Sequence, residues 1–443
     1  MRTLFTDFKI EKRLLTALAE GGYEQATPIQ ENVFSLAMSG ADVCGIAQTG
    51  TGKTLAYLLP LLNSWKYDKA KEPTMVVLVP TRELVIQVVE TAQRLTEKMG
   101  TTIVGIYGGV NINTQRLQLQ STGADLIVAT PGRFYDLAVT GGFKVRSVRK
   151  LVLDEVDEML NLGFRAQLRN ILELLPQRRQ NLLFSATMIP EVETFVDEYF
   201  QDLQRVEAAP AGTPVESISQ WAYEVPNFHT KINLLRLLLR DPDLSRVIVF
   251  AATKSLANDI HELLAQDDPE MVGLIHSNKE QNYRIATVRR FAEGTLRVLI
   301  ATDIVARGID ISGVSHVINF DLPEESAQYI HRIGRTGRAD QKGSAISFLL
   351  PKDEAAREAI EALMGFAIPV RELPDDLEIS TQLTKDEIPK EFIEEAAPPK
   401  KYEGGGAFHE KKAKNKKVNT VISRKERMMK KYGKPIKRSG RKK

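Results

Sequence analysis

The stretch Ala47-Gln48-Thr49-Gly50-Thr51-Gly52-Lys53-Thr54 sits between an apolar run, Asp42 to Ile46, and a second apolar segment, Leu55 to Leu59. A glycine-rich turn between a strand and a helix has a physical use. Small residues let successive backbone N–H groups converge on an anion, and the helix N-terminus adds its partial positive charge. Thr49, Gly50, Thr51 and Gly52 would form such a cradle, Lys53 would reach the outer phosphates of a nucleoside triphosphate, and the Thr54 hydroxyl is placed to ligate Mg²⁺. The pattern departs from G-x-x-x-x-G-K-[ST] only at Ala47, still small enough for a tight turn. A plain glycine-rich connection is the competing reading, and the strand and helix on either side weigh against it.

Upstream, Lys9 to Glu20 reads as a helix stopped by Gly21-Gly22, followed by a turn from Tyr23 to Gln30. Downstream, apolar runs alternate with helical segments: Met75 to Val79, Thr102 to Ile106, Leu126 to Ala129, Leu151 to Leu153 and Leu182 to Phe184. After a Pro/Gly-rich linker, Ala209 to Thr213, the series begins again at Val247 to Phe250, Val272 to Ile275, Val298 to Ile300, Val317 to Asn319 and Ala345 to Leu349. Continuous apolar strands separated by helices predict an α/β class: two tandem domains, each a mostly parallel sheet with helices on both faces. Their expected bounds are 1–208 and 214–370. Residues 371–443, acidic and then basic, have few large apolar side chains and are expected to be a disordered tail.

The bulk properties narrow the class. No apolar run approaches the ~20 residues of a membrane span, and Met1 to Phe8 carries no apolar signal core. A cytoplasmic protein with no membrane partner is expected. Cys44, the one cysteine, lies in an apolar run and reads as a small buried hydrophobe. The six histidines and that cysteine show no metal-ligand spacing. The net charge of +3 is unevenly spread: Lys400 to Lys443 holds 18 Lys and Arg against Glu403, Glu410 and Glu426, a net +15, leaving −12 for the first 399 residues. A basic tail on an acidic body points to a polyanionic partner such as nucleic acid.

In parallel sheets ligands bind beyond the carboxyl ends of strands. Polar clusters fall at those ends: Thr81-Arg82-Glu83, Gly108-Gly109, Thr130-Pro131-Gly132-Arg133, Asp154-Glu155-Val156-Asp157, Ser185-Ala186-Thr187 and Thr302-Asp303. One of them could be a cap or turn; six suggest a functional face. Asp154 could hold Mg²⁺ opposite Thr54, and Glu155 is placed to polarise an attacking water. Positive charge for the developing γ-phosphate would come from His331-Arg332-Ile333-Gly334-Arg335-Thr336-Gly337-Arg338, with Arg335 and Arg338 as fingers from the second domain. The alternative is an Arg-rich turn that only pairs with surface acids.

Together these motifs resemble the bacterial type of DEAD-box ATP-dependent RNA helicase, a superfamily 2 protein with two RecA-like domains, over about Phe5 to Leu350. The resemblance implies ATP and Mg²⁺ as cofactors, RNA as partner, and a monomer. Gly22 to Gln30 is similar to the adenine-reading Q motif, so Gln30 would bond the adenine edge while Phe5 stacks on the ring. Asp310 would lie near the ribose. Arg82, Gly109, Thr130 and Arg133 in the first domain, with Arg284 and Thr302 in the second, would grip RNA backbone, which carries no sequence information. Ser185, Thr187, Asp157 and His331 would couple hydrolysis to strand separation. The family implies a clamp: ATP and RNA close the domains, a short duplex falls apart locally, and hydrolysis permits release. Val156 stands where the family has alanine and Ala26 where it has proline; neither change removes a chemical group. A DNA-directed helicase on the same fold, or an ATP-gated RNA clamp with slow turnover, are the competing readings.

Overall fold

Fourteen strands build two sheets in the computed structural model, which describes residues 3–48, 50–207, 218–303, 313–337, 343–384 and 387. The first lobe contains β1 (Val43–Ile46), β2 (Met75–Leu78), β3 (Ile103–Ile106), β4 (Leu126–Ala129), β5 (Lys150–Leu153), β6 (Gln180–Ser185) and β7 (Gln204–Glu207), in the order β3-β4-β2-β5-β6-β1-β7. The second contains β8 (Ile218–Glu224), β9 (Val247–Phe250), β10 (Val272–Ile275), β11 (Val298–Ala301), β12 (His316–Asn319), β13 (Gly343–Leu349) and β14 (Val370–Arg371), in the order β10-β11-β9-β12-β13-β8-β14. Every pairing between these fourteen strands is parallel.

Both faces of each sheet are buried, which explains the unbroken apolar runs. Along β2, Met75 and Val77 pack into one core with Tyr57, Leu58 and Val85, while Val76 and Leu78 pack into a second with Phe134, Ile171 and Phe195. The second lobe repeats this, with Val247 and Val249 on one side and Ile248 and Phe250 on the other. Among the described residues no helix is long and apolar enough to cross a membrane. Cys44 is buried, as its apolar surroundings predict.

Three expectations need correction. The edge strand β7 is polar, with only Val206 turned inward, so it carries no apolar run to read. The strand β8, which opens the second sheet, was likewise hidden by Ser219 and Gln220. The first residues of the segment expected as tail from 371 are packed on the second lobe. Arg371 lies in β14 with its guanidinium 3.9 Å from the Trp221 ring centre, and Leu373 and Leu377 pack on the second core. Asn227 Nδ2 donates to Ser380 O (2.6 Å) and Asn233 Nδ2 to Glu378 O (2.8 Å). Two asparagine amides bonded to backbone carbonyls, and two leucines, thus hold residues whose composition alone reads as solvated. The expected linker at Ala209 to Thr213 lies outside the described residues.

Candidate functional site

The strand order brings β1, β5 and β6 side by side, so the segments that leave their carboxyl ends meet. After β1 the chain turns through Gly50 (φ 84°) and Gly52 (φ 91°) into the helix Lys53–Asn63. Gly52 is doubly constrained: its φ is left-handed, and a Cβ there would meet Gln30 Nε2 at 2.3 Å. Among the described residues no side chain caps this helix, so its first N–H groups remain available to an anion. Thr51 Oγ1 donates to Gln48 O (2.7 Å), tightening the turn. Ala47 is buried, its methyl part of the core. Lys53 is 6% exposed, yet its Nζ has no hydrogen-bond partner among the described residues. A buried ammonium with no partner is costly, and a phosphate beyond the turn would satisfy it. Thr54 follows at the second position of the helix. Thr49 lies outside the described residues.

Asp154 and Glu155 follow β5. Burial pushes the Asp154 carboxyl up to about 6, Lys53 opposing and Glu155 adding to the effect. Asp154 Oδ1 accepts from Glu155 N (2.9 Å), and Glu155 adopts φ 53°. A left-handed conformation in a non-glycine residue stores strain and is found at sites where a side chain must be aimed. No sequence signal marked it. Among the described residues no group of three or more His, Cys, Asp or Glu is arranged for a metal. Mg²⁺ needs no such cage, since one or two protein oxygens, water and substrate phosphates complete its octahedron. The uncapped helix start, the orphaned ammonium and the buried carboxylate therefore fit Mg²⁺-ATP, with Asp154 and Thr54 as the protein's oxygen donors.

Asp157 joins three motifs. Its Oδ2 accepts from Ala186 N (3.1 Å), Thr187 N (2.9 Å) and Thr187 Oγ1 (2.9 Å), and His331 Nε2 of the second lobe stands 3.6 Å away. Burial alone would raise this carboxyl, but His331 and Thr187 hold it below the usual carboxylate range. Ser185 Oγ donates to Thr187 O (2.7 Å) and locks the turn after β6. All four residues expected to couple the lobes are thus brought together. Val156 is buried beneath them beside Leu153 and Met159, so the methyls added relative to alanine lie in the core.

Arg335 lies two residues past the helix Ser326–Ile333, which carries His331, and is buried, with Nε donating to His331 O (3.2 Å). Arg338 and Asp310 lie outside the described residues. Arg332, between the expected residues, was given no role and has a clear one: it grips both oxygens of Asp303 (2.6 and 2.7 Å) and donates to Asp321 O (2.6 Å). Its complete burial and bidentate geometry make it the anchor of the second-lobe face. Beside it, fully buried Lys231 pairs with Asp321 (3.1 Å) and donates to Phe320 O (2.5 Å). Asn227 Oδ1 caps the helix Phe228–Leu238 through Thr230 N (2.9 Å), and Glu387 Oε1 accepts from Phe228 N (2.6 Å).

The expected adenine readers, Gln30 and Phe5, lie close to the phosphate loop and the helix that follows it. Gln30 accepts from Thr27 N (2.9 Å) and donates to Gly52 O (3.0 Å), tying the Q-motif turn to the phosphate loop; one N–H and one lone pair remain for a base. Phe5 is 4% exposed and packs against Phe8 with 6.0 Å between ring centres. Its ring lies among Phe8, Ile10 and Leu59.

Of the expected backbone grips, Arg284 pairs with Glu83 of the first lobe (2.6 Å), and Gln281 Nε2 donates to the same oxygen (2.9 Å). Arg284 Nε is buried with no partner among the described residues. Arg82 reaches across to Gln281 Oε1 (3.5 Å) and lies over Gly109, where φ is 87° and any Cβ would strike the guanidinium. Arg133 donates to Gln115 Oε1 (2.6 Å) and Val110 O (3.0 Å). Thr130 and Thr302 are buried where β4 and β11 end. Glu83 was read only as one member of a polar cluster; its partnership across the lobes has no local signature.

Residues 27–195 match the family model described as DEAD/DEAH box helicase, and 230–340 the helicase conserved C-terminal domain. The chain is 38% identical to the ATP-dependent RNA helicase RhlB of Pseudomonas putida, over 85% of this chain and 96% of that protein. It is 38% identical to the DEAD-box ATP-dependent RNA helicase CshA of Bacillus subtilis, over 82% and 72%. Among solved structures, S. cerevisiae Dbp5 bound to RNA and ADP BeF3 superposes with a TM-score of 0.77 at 30% identity, covering 84% of this chain and 96% of that one.

Proposed function

The chain belongs to the DEAD-box ATP-dependent RNA helicases, and on that premise we propose that it is an ATP-gated clamp on RNA backbone, with its ATPase machinery split between the lobes. The observation that carries this reading is Asp157, where the box of the first lobe, the turn after β6 and His331 of the second lobe converge on one carboxylate. Lys53 and the uncapped helix start hold the outer phosphates. Asp154 and Thr54 would hold Mg²⁺, which when bound would neutralise charge on the phosphates. Glu155 orients and deprotonates the attacking water, its left-handed backbone aiming the carboxylate. Arg335, with Arg338, offsets the charge that develops on the γ-phosphate once the lobes are closed.

RNA phosphates are held by Arg82, Gly109, Thr130 and Arg133 on one lobe and by Arg284 and Thr302 on the other. The unpartnered Nε of Arg284 supports this, since a phosphate oxygen would satisfy it. These contacts carry little base preference. The valine of Asp154-Glu155-Val156-Asp157 is proposed to leave turnover intact, because all three carboxylates are kept. The setting proposed is a cytoplasmic monomer, in keeping with the bacterial RNA helicases it resembles.

ATP hydrolysis measured with single-stranded RNA and with DNA of the same sequence tests the reading. RNA should stimulate strongly and DNA weakly, and a short duplex should separate only with ATP present. Equal stimulation by both polymers, or duplex separation indifferent to nucleotide, would refute it.

A further inference from the structure

Arg332, on the second-lobe helix Ser326–Ile333, is wholly buried, and its guanidinium closes on both oxygens of Asp303 just where the chain leaves β11 (Nε to Oδ1 2.6 Å, Nη2 to Oδ2 2.7 Å). Its Nη1 donates to Asp321 O (2.6 Å) and to Asn319 Oδ1 (3.3 Å) at the end of β12. The ring of Phe250, which ends β9, has its centre 5.1 Å from the Arg332 Cζ. One side chain thus ties the helix to the carboxyl ends of three strands. Stability alone is a poor reason for such a group, because replacing a buried ion pair by well-packed apolar residues often leaves a fold as stable or more so. What a forked pair supplies is a fixed distance and angle between the two segments that carry it. Here those segments serve different ligands. Thr302, read as an RNA grip, is the residue before Asp303, and His331 is the residue before Arg332. Arg335, read as the finger, is bonded back to His331 O through its Nε (3.2 Å).

We infer that Arg332 and Asp303 are positioning residues, a strut that carries RNA occupancy at Thr302 to His331 and Arg335. This rests on the reading of Thr302 as an RNA contact and of Arg335 as part of the ATPase machinery. A phosphate that draws on Thr302 shifts Asp303 with it, and the forked bond leaves the helix of His331 no freedom to lag behind. Succession in space does not by itself make a coupling path, and a neighbouring pair provides the control. Lys231 is as deeply buried as Arg332 and pairs with Asp321 (3.1 Å), but it stands on another helix, Phe228–Leu238, and among the described residues it bonds neither Asp303 nor Arg332.

The test measures, in the full chain, the affinity for a labelled single-stranded RNA with and without a non-hydrolysable ATP analogue and Mg²⁺. The ratio of the two affinities is the mutual tightening of the ligands. Arg332→Lys keeps the charge and loses the fork, so it should lower that ratio about tenfold, within the ~5- to 150-fold span of such couplings. RNA affinity without nucleotide and analogue affinity without RNA should stay at the parental values. Asp303→Asn should match it, and the double variant should lose no more than either alone, because the two act as a unit. Lys231→Met, which breaks the neighbouring pair, should leave the ratio intact. An undiminished ratio in both Arg332→Lys and Asp303→Asn overturns the inference. So does an equal loss in Lys231→Met, or a loss accompanied by weaker binding of each ligand alone, since either marks a general loosening of the lobe. If the parental chain shows no mutual tightening, the clamp reading fails and the strut with it, a result distinguishable from silence of the variants alone.

Discussion

The two lobes share one topology and differ in what they do with the same pair of charges. Numbered from its own first strand, each sheet runs 3-4-2-5-6-1-7. Lys53 stands seven residues beyond the last residue of β1, Ile46, and Lys231 seven beyond the last residue of β8, Glu224. Asp154 and Asp321 follow the equivalent strands β5 and β12. In the second lobe the pair is closed: Lys231 bonds Asp321 directly, Asn227 caps the helix, and Glu387 places a carboxylate on its first N–H. In the first lobe it is open. Lys53 Nζ has no partner among the described residues, and glycine replaces the cap. One lobe has satisfied its own helix terminus and lysine, whereas the other leaves both for a ligand, at a cost in stability that the ligand removes.

The comparison can be tested with five variants. Glu155→Gln should have the largest effect, lowering RNA-stimulated kcat about 10⁴-fold, the upper range for loss of a general base, while equilibrium binding of ATP and RNA persists. Phosphate release and analogue binding measured side by side check this, and turnover near the parental rate would remove Glu155 from catalysis. Arg335→Ala comes next, with kcat down about 10³-fold if the second lobe supplies transition-state charge. Stopped-flow single turnover would locate the loss in the chemical step rather than in nucleotide affinity.

The lysines themselves should respond with opposite signs. Lys231→Met leaves Asp321 without its partner and should destabilise the nucleotide-free protein by about 3 kcal/mol, the lower figure for a broken buried pair because Asp321 is partly exposed. Lys53→Met removes a buried ammonium that lacks a hydrogen-bond partner among the described residues, and the desolvation relieved opposes the attraction to Asp154 that is lost, so the same urea titration should show stability little changed or raised, while the stabilisation by added ATP disappears. The smallest effect concerns neither lobe. Deleting from Pro398 onward removes the net +15 of Lys400 to Lys443. It should flatten the salt dependence of RNA binding by ~0.7 log units for each single-strand phosphate no longer neutralised, with kcat at saturating RNA unchanged. Equal slopes for both chains would show that the basic segment does not hold RNA.

Much of this was legible because it is local. The phosphate loop and the polar residues that end each strand are contiguous, and their chemistry follows from residue type and order. The β7 and β8 strands were not legible, since an edge strand such as Gln204–Glu207 needs one apolar face at most. The partnerships of Glu83 with Arg284, of Arg332 with Asp303 and of Lys231 with Asp321 were also out of reach. Each joins residues far apart in the chain, and an arginine within a motif looks the same whether it will meet a phosphate or a carboxylate. The packing of residues just beyond 371 was hidden for a related reason: the bonds that hold Glu378 and Ser380 come from Asn233 and Asn227, which composition cannot foresee.

Asp157 Oδ2 has a consequence in the language of linkage. Ala186 and Thr187 on one side and His331 on the other share a single oxygen. If nucleotide in the first lobe strengthens the grip of that oxygen on His331 by some factor, closing the second lobe must strengthen nucleotide binding by the same factor. The two affinities are one quantity measured from two ends. A His331→Ala chain would therefore lose the mutual dependence of ATP and RNA while each alone binds as before.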